Sequence, residues 1–238
     1  NPPGEDVSHG HVAGGKTEPE PRIPSAPGEA RVFKSPSEVN VSVFSAVTRE
    51  IEDERLSRVR EFYAASLQWA KKIYSLELKS SEDFKSGFLP FAVQAVNVYG
   101  LNDKNFLYQC LRDYENDADR FYCHAVNVAF LSLELGRGMD YDQDKLAELF
   151  CAAFLHDIGL TQTQDIINKK ALLTPDEFIL VKEHPLKGLE ILNKMGGEFS
   201  RGSVEVLTQE HERMDGSGYP KGLRNGQIGE FAQIVAVA

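Results

Sequence analysis

From Ser42 onward, apolar residues return at three- and four-residue steps, and those steps predict a succession of helices. Ile51, Leu56, Val59, Phe62, Tyr63, Leu67, Ala70, Ile73, Tyr74 and Leu76 outline one long amphipathic helix, with charged residues filling many of the gaps. A shorter helix is predicted over Glu82 to Tyr99, interrupted or shifted near Gly87 and Pro90. A third follows Asp103, which stands where a capping residue is needed. The pattern then predicts a helix from Asp117 to Leu135, ended by Gly136 as a C-terminal glycine cap. Asp142 opens the next helix, Gln143 to Asp157, which is apolar on nearly all sides between Leu149 and Leu155 and is expected to be central and buried.

Further along, Thr174-Pro175-Asp176-Glu177 reads as a capping box with proline at the first helical position, opening a helix that reaches His184. Pro185 bends or restarts it through Leu192. Another helix is expected from Ser203 to Arg213, before a loop at Asp215 to Pro220 whose glycines and proline demand irregular backbone. Phe231 to Ala238 reads as the first turns of one more helix. No strand alternation is sustained, so the fold class is all-α.

Composition changes the picture at the N-terminus. Seven of the 11 prolines and five of the 19 glycines precede residue 41, where Phe33 is the only aromatic residue. Such a stretch buries too little apolar surface to offset the entropy of ordering it, so residues 1–40 are read as a linker or disordered tail. The remainder divides into a helical N-terminal region, 41–116, and a domain over 117–238. The net charge of -10 argues against a basic face tracking a nucleic-acid polymer or an anionic membrane. No apolar run approaches the roughly 20 residues that span a bilayer, so the expected location is cytoplasmic. Cys110, Cys123 and Cys151 fit no thiolate metal spacing and are expected to be buried free thiols.

The candidate chemistry lies in four histidines, His124, His156, His184 and His211, each on or at the end of a different predicted helix. Asp157 follows His156, Glu183 precedes His184, and Glu210 and Glu212 flank His211. A carboxylate at the end of so apolar a helix is costly to bury unless it is paired or bound to a cation. Imidazole and carboxylate ligands without thiolate suit octahedral Fe, Mn or similar ions. A carboxylate in the middle of such a set can bridge two ions. Spacing alone leaves open whether these residues hold metal or merely bond to neighbouring helix ends. The acidic run Asp113, Glu115, Asp117 and Asp119 is read as a solvated helix start, and Trp69 as packing between helices.

The segments HAVNVAFLSLELG at 124–136, FLHDIG at 154–159, INKKALLTPDEF at 167–178, KEHPLKGLEIL at 182–192 and EHERMDGSGYPKGL at 210–223 narrow the choice. In order and spacing they resemble an HD-GYP domain, a bacterial branch of the HD metal-dependent phosphohydrolases that hydrolyses the second messenger cyclic di-GMP. The resemblance implies an HD-type helical bundle preceded by a helical linker region. It implies two divalent ions, Fe or Mn, on His124, His156, Asp157, His184 and His211, with Asp157 bridging and His156-Asp157 at the catalytic centre. Arg213, Gly218 and Tyr219 at the GYP loop, and Lys169, are the candidate contacts to substrate. The implied activity is opening of cyclic di-GMP to pGpG, with GMP as a further product in some members. GGDEF-domain or other signalling proteins are candidate partners of the loop.

Three residues depart from the family pattern. Glu210 stands where the family has the first of two consecutive histidines, and is expected to ligate through oxygen. Leu160 replaces the lysine of HDIGK, and Arg120 stands where members with three metals have a glutamate. Slower catalysis is one expectation. A degenerate, non-catalytic module that binds cyclic di-GMP or a protein is the other. In the family, the segment resembling Ile234 to Ala238 is followed by a metal-ligating aspartate and a basic helix, so the sequence is expected to be a fragment.

Overall fold

The computed structural model describes residues 41–78, 80–110, 119–196 and 198–238. The tail read at 1–40 and the helix start read at Asp117 lie outside them. The chain divides into two units, Asn1–Phe44 and Ser45–Ala238, and the second holds the helical bundle. Among the described residues there is no strand, only an isolated bridge between Asp215 and Arg224.

These residues form ten α-helices: α1 Val41–Tyr74, α2 Ser81–Asp83, α3 Leu89–Cys110, α4 Arg120–Gly138, α5 Gln143–Leu155, α6 Gln164–Ile167, α7 Pro175–Val181, α8 His184–Met195, α9 Arg201–Gln209 and α10 Glu230–Val235. Helix α5 is the axis of the bundle. Leu149 to Leu155 are all buried, and α3, α4, α9 and α10 pack around them. Asp142 caps it, its carboxylate accepting the Lys145 amide over 2.8 Å, which fixes where the helix begins and so where it ends.

Helix α1 buries Val59, Phe62, Tyr63, Ala70, Ile73 and Tyr74 against the same core, while Ile51 stays exposed. The contacts among α1, α3 and α4 are largely aromatic: Phe62 of α1 stacks on Phe91 of α3 at 4.9 Å, and Phe106 of α3 on Phe130 of α4 at 4.5 Å. A polar link runs through this core. The Tyr63 hydroxyl donates to Asn127 Oδ1 at 2.6 Å, and Asn127 Nδ2 donates to the Cys110 carbonyl at 3.0 Å. All three cysteines are free and buried, and burial pushes the Cys110 and Cys151 thiols up to about 12.

Several boundaries differ from the sequence reading. No break occurs at Asp103, and α3 runs through to Cys110. The irregularity expected near Gly87 is a π-helical turn, Phe84–Phe88, and Trp69 occupies the space a Cβ on Gly87 would need. Gly136 does not end α4. It lies inside the helix, where a Cβ would stand 2.9 Å from Leu149 and 3.0 Å from Leu146, so its role is close packing on α5. The helix ends two residues later in a Schellman motif, with Tyr141 N–H donating to the Gly136 carbonyl and Asp140 N–H to that of Arg137. Asp140 takes the left-handed position, φ 57°.

Candidate metal centre

Four elements bring their ends to one point. His124 lies in the second turn of α4, and His156-Asp157 follow directly on α5. His184 is the first residue of α8. Glu210 and His211 follow the end of α9 at Gln209, so the helix expected to continue to Arg213 stops short and leaves both side chains at its tip.

Glycines set the spacing. After Asp157 the chain tightens into a 3-10 helix, Ile158–Thr163, and a Cβ on Gly159 would lie 1.9 Å from the His184 carbonyl oxygen. Only glycine admits α8 at that distance. Gly188, one turn further along α8, is filled against by Leu207 of α9 and Ile158. These two positions hold His184 beside Asp157.

Asp157 lies between two groups of imidazoles. Its Oδ2 is 3.2 Å from His156 Nε2 and 3.6 Å from His124 Nε2, whereas its Oδ1 is 3.5 Å from His184 Nε2. Glu210 spans the centre in the same way. Its Oε1 faces His184 at 3.4 Å and His211 at 3.8 Å, and its Oε2 faces His156 at 3.9 Å. Ligand atoms of Asp157, His184, Glu210 and His211 form one compact group, and those of His124, His156 and Asp157 a second that shares the aspartate.

The inner imidazoles are fixed from behind. His156 Nδ1 bonds to the Ala153 carbonyl at 2.7 Å and His184 Nδ1 to that of Val181 at 2.8 Å, so each Nδ1 donates and each Nε2 is turned to the centre. Neutral Nε2 donors, two buried carboxylates and no thiolate form a donor set that fits divalent cations.

Without such ions the carboxylates recruit protons. Burial lowers the pKa of His156, but the Asp157 and Glu210 carboxylates outweigh it and raise it to about 10. His184 is raised by the same balance. Asp157 is held well below the usual carboxylate range, its burial overcome by His156 and then His184 and His124. At the open ends, His124 and His211 are lowered by burial and by the neighbouring imidazoles.

The centre is reached from two sides. The side chains of His124 and His211 are 52% and 37% exposed, against 5% for His156 and 2% for His184. On the His124 side is a cavity of 460 Å³ lined by Arg120, Asp157, Leu160, Lys169 and Lys170 among others. On the His211 side a cavity of 550 Å³ is lined by Phe178, Lys182, Glu210, Arg213, Gly218 and Tyr219 among others.

All ten candidate site residues therefore line or border this region, in different capacities. Tyr219 stacks on His211 with ring centroids 4.8 Å apart, and its amide donates to the His211 carbonyl at 3.2 Å. Gly218 packs where a Cβ would meet the Arg213 amide at 2.4 Å, a steric role. Lys169 is engaged by Glu177 through both carboxylate oxygens, at 2.9 and 3.0 Å. The carboxylates that adjoin histidines in sequence also part company. Glu183 pairs with Lys187 at 3.1 Å, and Glu212 accepts the Lys221 and Leu223 amides at 2.7 and 2.8 Å, tying down the glycine-rich loop. Sequence reasoning did not single out Gly159 or Glu212 for these places. A glycine two residues after the aspartate was the one visible signal.

An all-helical bundle with histidines and carboxylates from four helix ends converging on a shared aspartate defines a metal-binding HD-type domain. A family model described as HD domain matches residues 109–238. The chain is 31% identical over 193 residues to a cyclic di-GMP phosphodiesterase of Thermotoga maritima, covering 81% of this chain and 49% of that protein. It is 36% identical over 146 residues to cyclic di-GMP phosphodiesterase PA4108 of Pseudomonas aeruginosa, covering 61% of this chain and 35% of that protein. Bd1817, an HDG"Y"P protein of Bdellovibrio bacteriovorus, has the same fold at a TM-score of 0.60 and 22% identity, over 76% of this chain and 58% of that one. The chain belongs to the HD domain family. It spans half or less of the length of these two curated relatives. No described helix is long and apolar enough to cross a membrane.

Proposed function

We propose that the chain is the catalytic part of a phosphodiesterase that opens cyclic di-GMP to pGpG, with two divalent ions, Fe or Mn, at the histidine–carboxylate centre. The observation that carries this reading is the placement of Asp157, one carboxylate oxygen toward His124 and His156 and the other toward His184. His124, His156 and Asp157 would hold one ion, and Asp157, His184, Glu210 and His211 the other. Bound there, two ions supply charge that neutralises a phosphate and lower the pKa of a water that attacks phosphorus.

The chain's own residues do the rest. The Ala153 and Val181 carbonyls orient the inner imidazoles, and the burial of His156, His184 and Glu210 keeps bulk water from their far sides. Tyr219, stacked on His211, holds that imidazole at the mouth and offers an aromatic edge to a nucleobase. The names of the relatives support cyclic di-GMP as substrate.

The test is metal analysis and turnover of the full-length protein reconstituted with Fe(II) or Mn(II). The expected result is close to two ions per chain and release of pGpG, with both lost in Asp157→Ala. A metal-replete protein that leaves cyclic di-GMP intact overturns the reading. One observation favours a second reading, a module that binds cyclic di-GMP without cleaving it: Leu160, an uncharged side chain, lines the cavity beside His124 and Asp157. Calorimetric binding by the metal-replete protein in the absence of turnover separates the two.

A further inference from the structure

Taking the centre to hold metal, as in the function proposed above, we propose that Tyr63 and Tyr74 of α1 are positioning residues. Through their hydroxyls, α1 sets where His124, His156 and Asp157 stand.

Both tyrosines precede residues 109–238, the stretch that matches the HD domain model, yet each reaches a helix that carries metal ligands. Tyr74, the last residue of α1, is buried and donates to the Phe154 carbonyl at 3.0 Å. Its hydroxyl also takes a hydrogen bond from the Asp157 backbone. One hydroxyl thus grips the chain on both sides of His156, where α5 gives way to the 3-10 helix. The adjoining carbonyl, that of Ala153, is the one that holds His156 Nδ1 at 2.7 Å. Consecutive carbonyls therefore fix the imidazole and the backbone that carries it.

Tyr63 makes the matching contact on α4. Its hydroxyl donates to Asn127 Oδ1 at 2.6 Å, one turn beyond His124, and is hydrogen-bonded to the side chain of Cys123, the residue before that histidine. In both places packing accounts for the ring but not for the hydroxyl. Tyr63 stacks on Phe130 at 6.4 Å, Tyr74 meets Phe121 edge-on at 4.9 Å, and phenylalanine would fill the same space. What tyrosine adds is a polar atom that is costly to bury unless it is bonded. Each of those bonds lands within one turn of a metal-ligating position.

The other half of the centre is placed differently. His184 and the tip of α9 are set by the close approach of Gly159 to α8 and of Gly188 to Leu207. Loss of a hydroxyl on α1 should therefore reach His124 and His156 and spare His184 and His211.

The test compares full-length wild type with Tyr74→Phe, Tyr63→Phe and, as a control, Tyr99→Phe. Tyr99 is a buried tyrosine of α3 that donates to Glu134 at 3.0 Å, near the end of α4 remote from His124. In the metal-free protein, nitrogen-resolved NMR reads the imidazole signals. Tyr74→Phe and Tyr63→Phe are expected to move those of His124 and His156 more than those of His184 and His211. In Mn(II) titrations followed by calorimetry, Tyr74→Phe is expected to weaken one of two ions about 10-fold, and Tyr99→Phe neither. Displacement of all four histidines alike overturns the proposal, because general loosening gives that pattern. Unchanged metal uptake by Tyr74→Phe also overturns it, as does an equal loss in Tyr99→Phe. If wild type takes up no metal, the proposed function falls, and the histidine signals alone still decide whether α1 supports these residues or merely packs beside them.

Discussion

The Tyr74 hydroxyl donates to the Phe154 carbonyl over 3.0 Å, joining the last residue of α1 to the helix that delivers His156 and Asp157. Phe154 is among the last residues of α5, where carbonyls lose their intrahelical partners. Tyr74→Phe is expected to lower the stability of the metal-free protein by about 1–2 kcal/mol, the effect of leaving a buried acceptor unmatched. Saturating Mn(II) should recover part of it by mass action. Urea titration with and without metal measures both.

Gly159 and Gly138 make opposite cases. Alanine at 159 drives a methyl into the His184 backbone, so Gly159→Ala should destabilise by about 3 kcal/mol or more and strip the metal. A Cβ at Gly138, the last residue of α4, meets nothing within 4 Å, and Gly138→Ala should gain up to about 1 kcal/mol. Thermal melts and elemental analysis distinguish them.

Glu210 has one oxygen toward each half of the centre. Glu210→Gln keeps its shape and removes its charge, and should weaken metal binding by at least about 10-fold. Glu210→His restores an imidazole donor and should keep metal better than glutamine does. Full metal content in Glu210→Gln after gel filtration contradicts a ligand role.

Metal and protons compete for the inner imidazoles. In the metal-free protein His156 stays protonated up to about pH 10, so each loading event releases protons and affinity should climb from pH 6 to pH 8. The stability of the metal-free form follows from the same groups. The raised His156 contributes fully below its ordinary 6.5, and that contribution fades as pH rises toward 10. The depressed Asp157 contributes fully above its ordinary 3.8 and is lost as pH falls through its lower folded value. The lowered His124 and His211 act the other way, costing stability as pH falls below their ordinary 6.5, so the metal-free protein should be most stable near the upper of these limits, and metal should extend the range upward. Denaturation midpoints across pH, and calorimetry in buffers of differing ionisation enthalpy, check both parts.

Asp140 closes α4 from the left-handed region without the freedom of a glycine. Asp140→Gly should stabilise the chain by about 0.5–1 kcal/mol while leaving metal content alone. A thermal melt reads the gain.

What the amino-acid order disclosed was local. The Asp142 cap and the Thr174–Glu177 capping box are interactions over three residues, and both are present as read. The four histidines, Asp157 and Glu210 were legible because each lies at or within two turns of a helix end, and helix ends meet when a bundle packs. Roles that depend on a distant partner were not. Gly136 carries the residue type of a cap, yet what it answers to is Leu149, and Gly159 answers to a carbonyl 25 positions away. Glu183 and Glu210 look alike beside their histidines. Only the direction of each helix sends one to Lys187 and the other to the centre. Likewise nothing near Asp103 reveals that α3 continues, because Phe106 is held from afar by Phe62, Tyr99 and Phe130.

The chain's single tryptophan, Trp69, leans on Phe88 and Phe91 where α1 meets the π-helical turn and α3. Its emission is therefore a private signal of that one seam, blind to the histidine end of the bundle. Circular dichroism counts every helix at once. Recorded together during heating, the two traces tell whether the long first helix lets go before the remainder melts, with no dye or label attached.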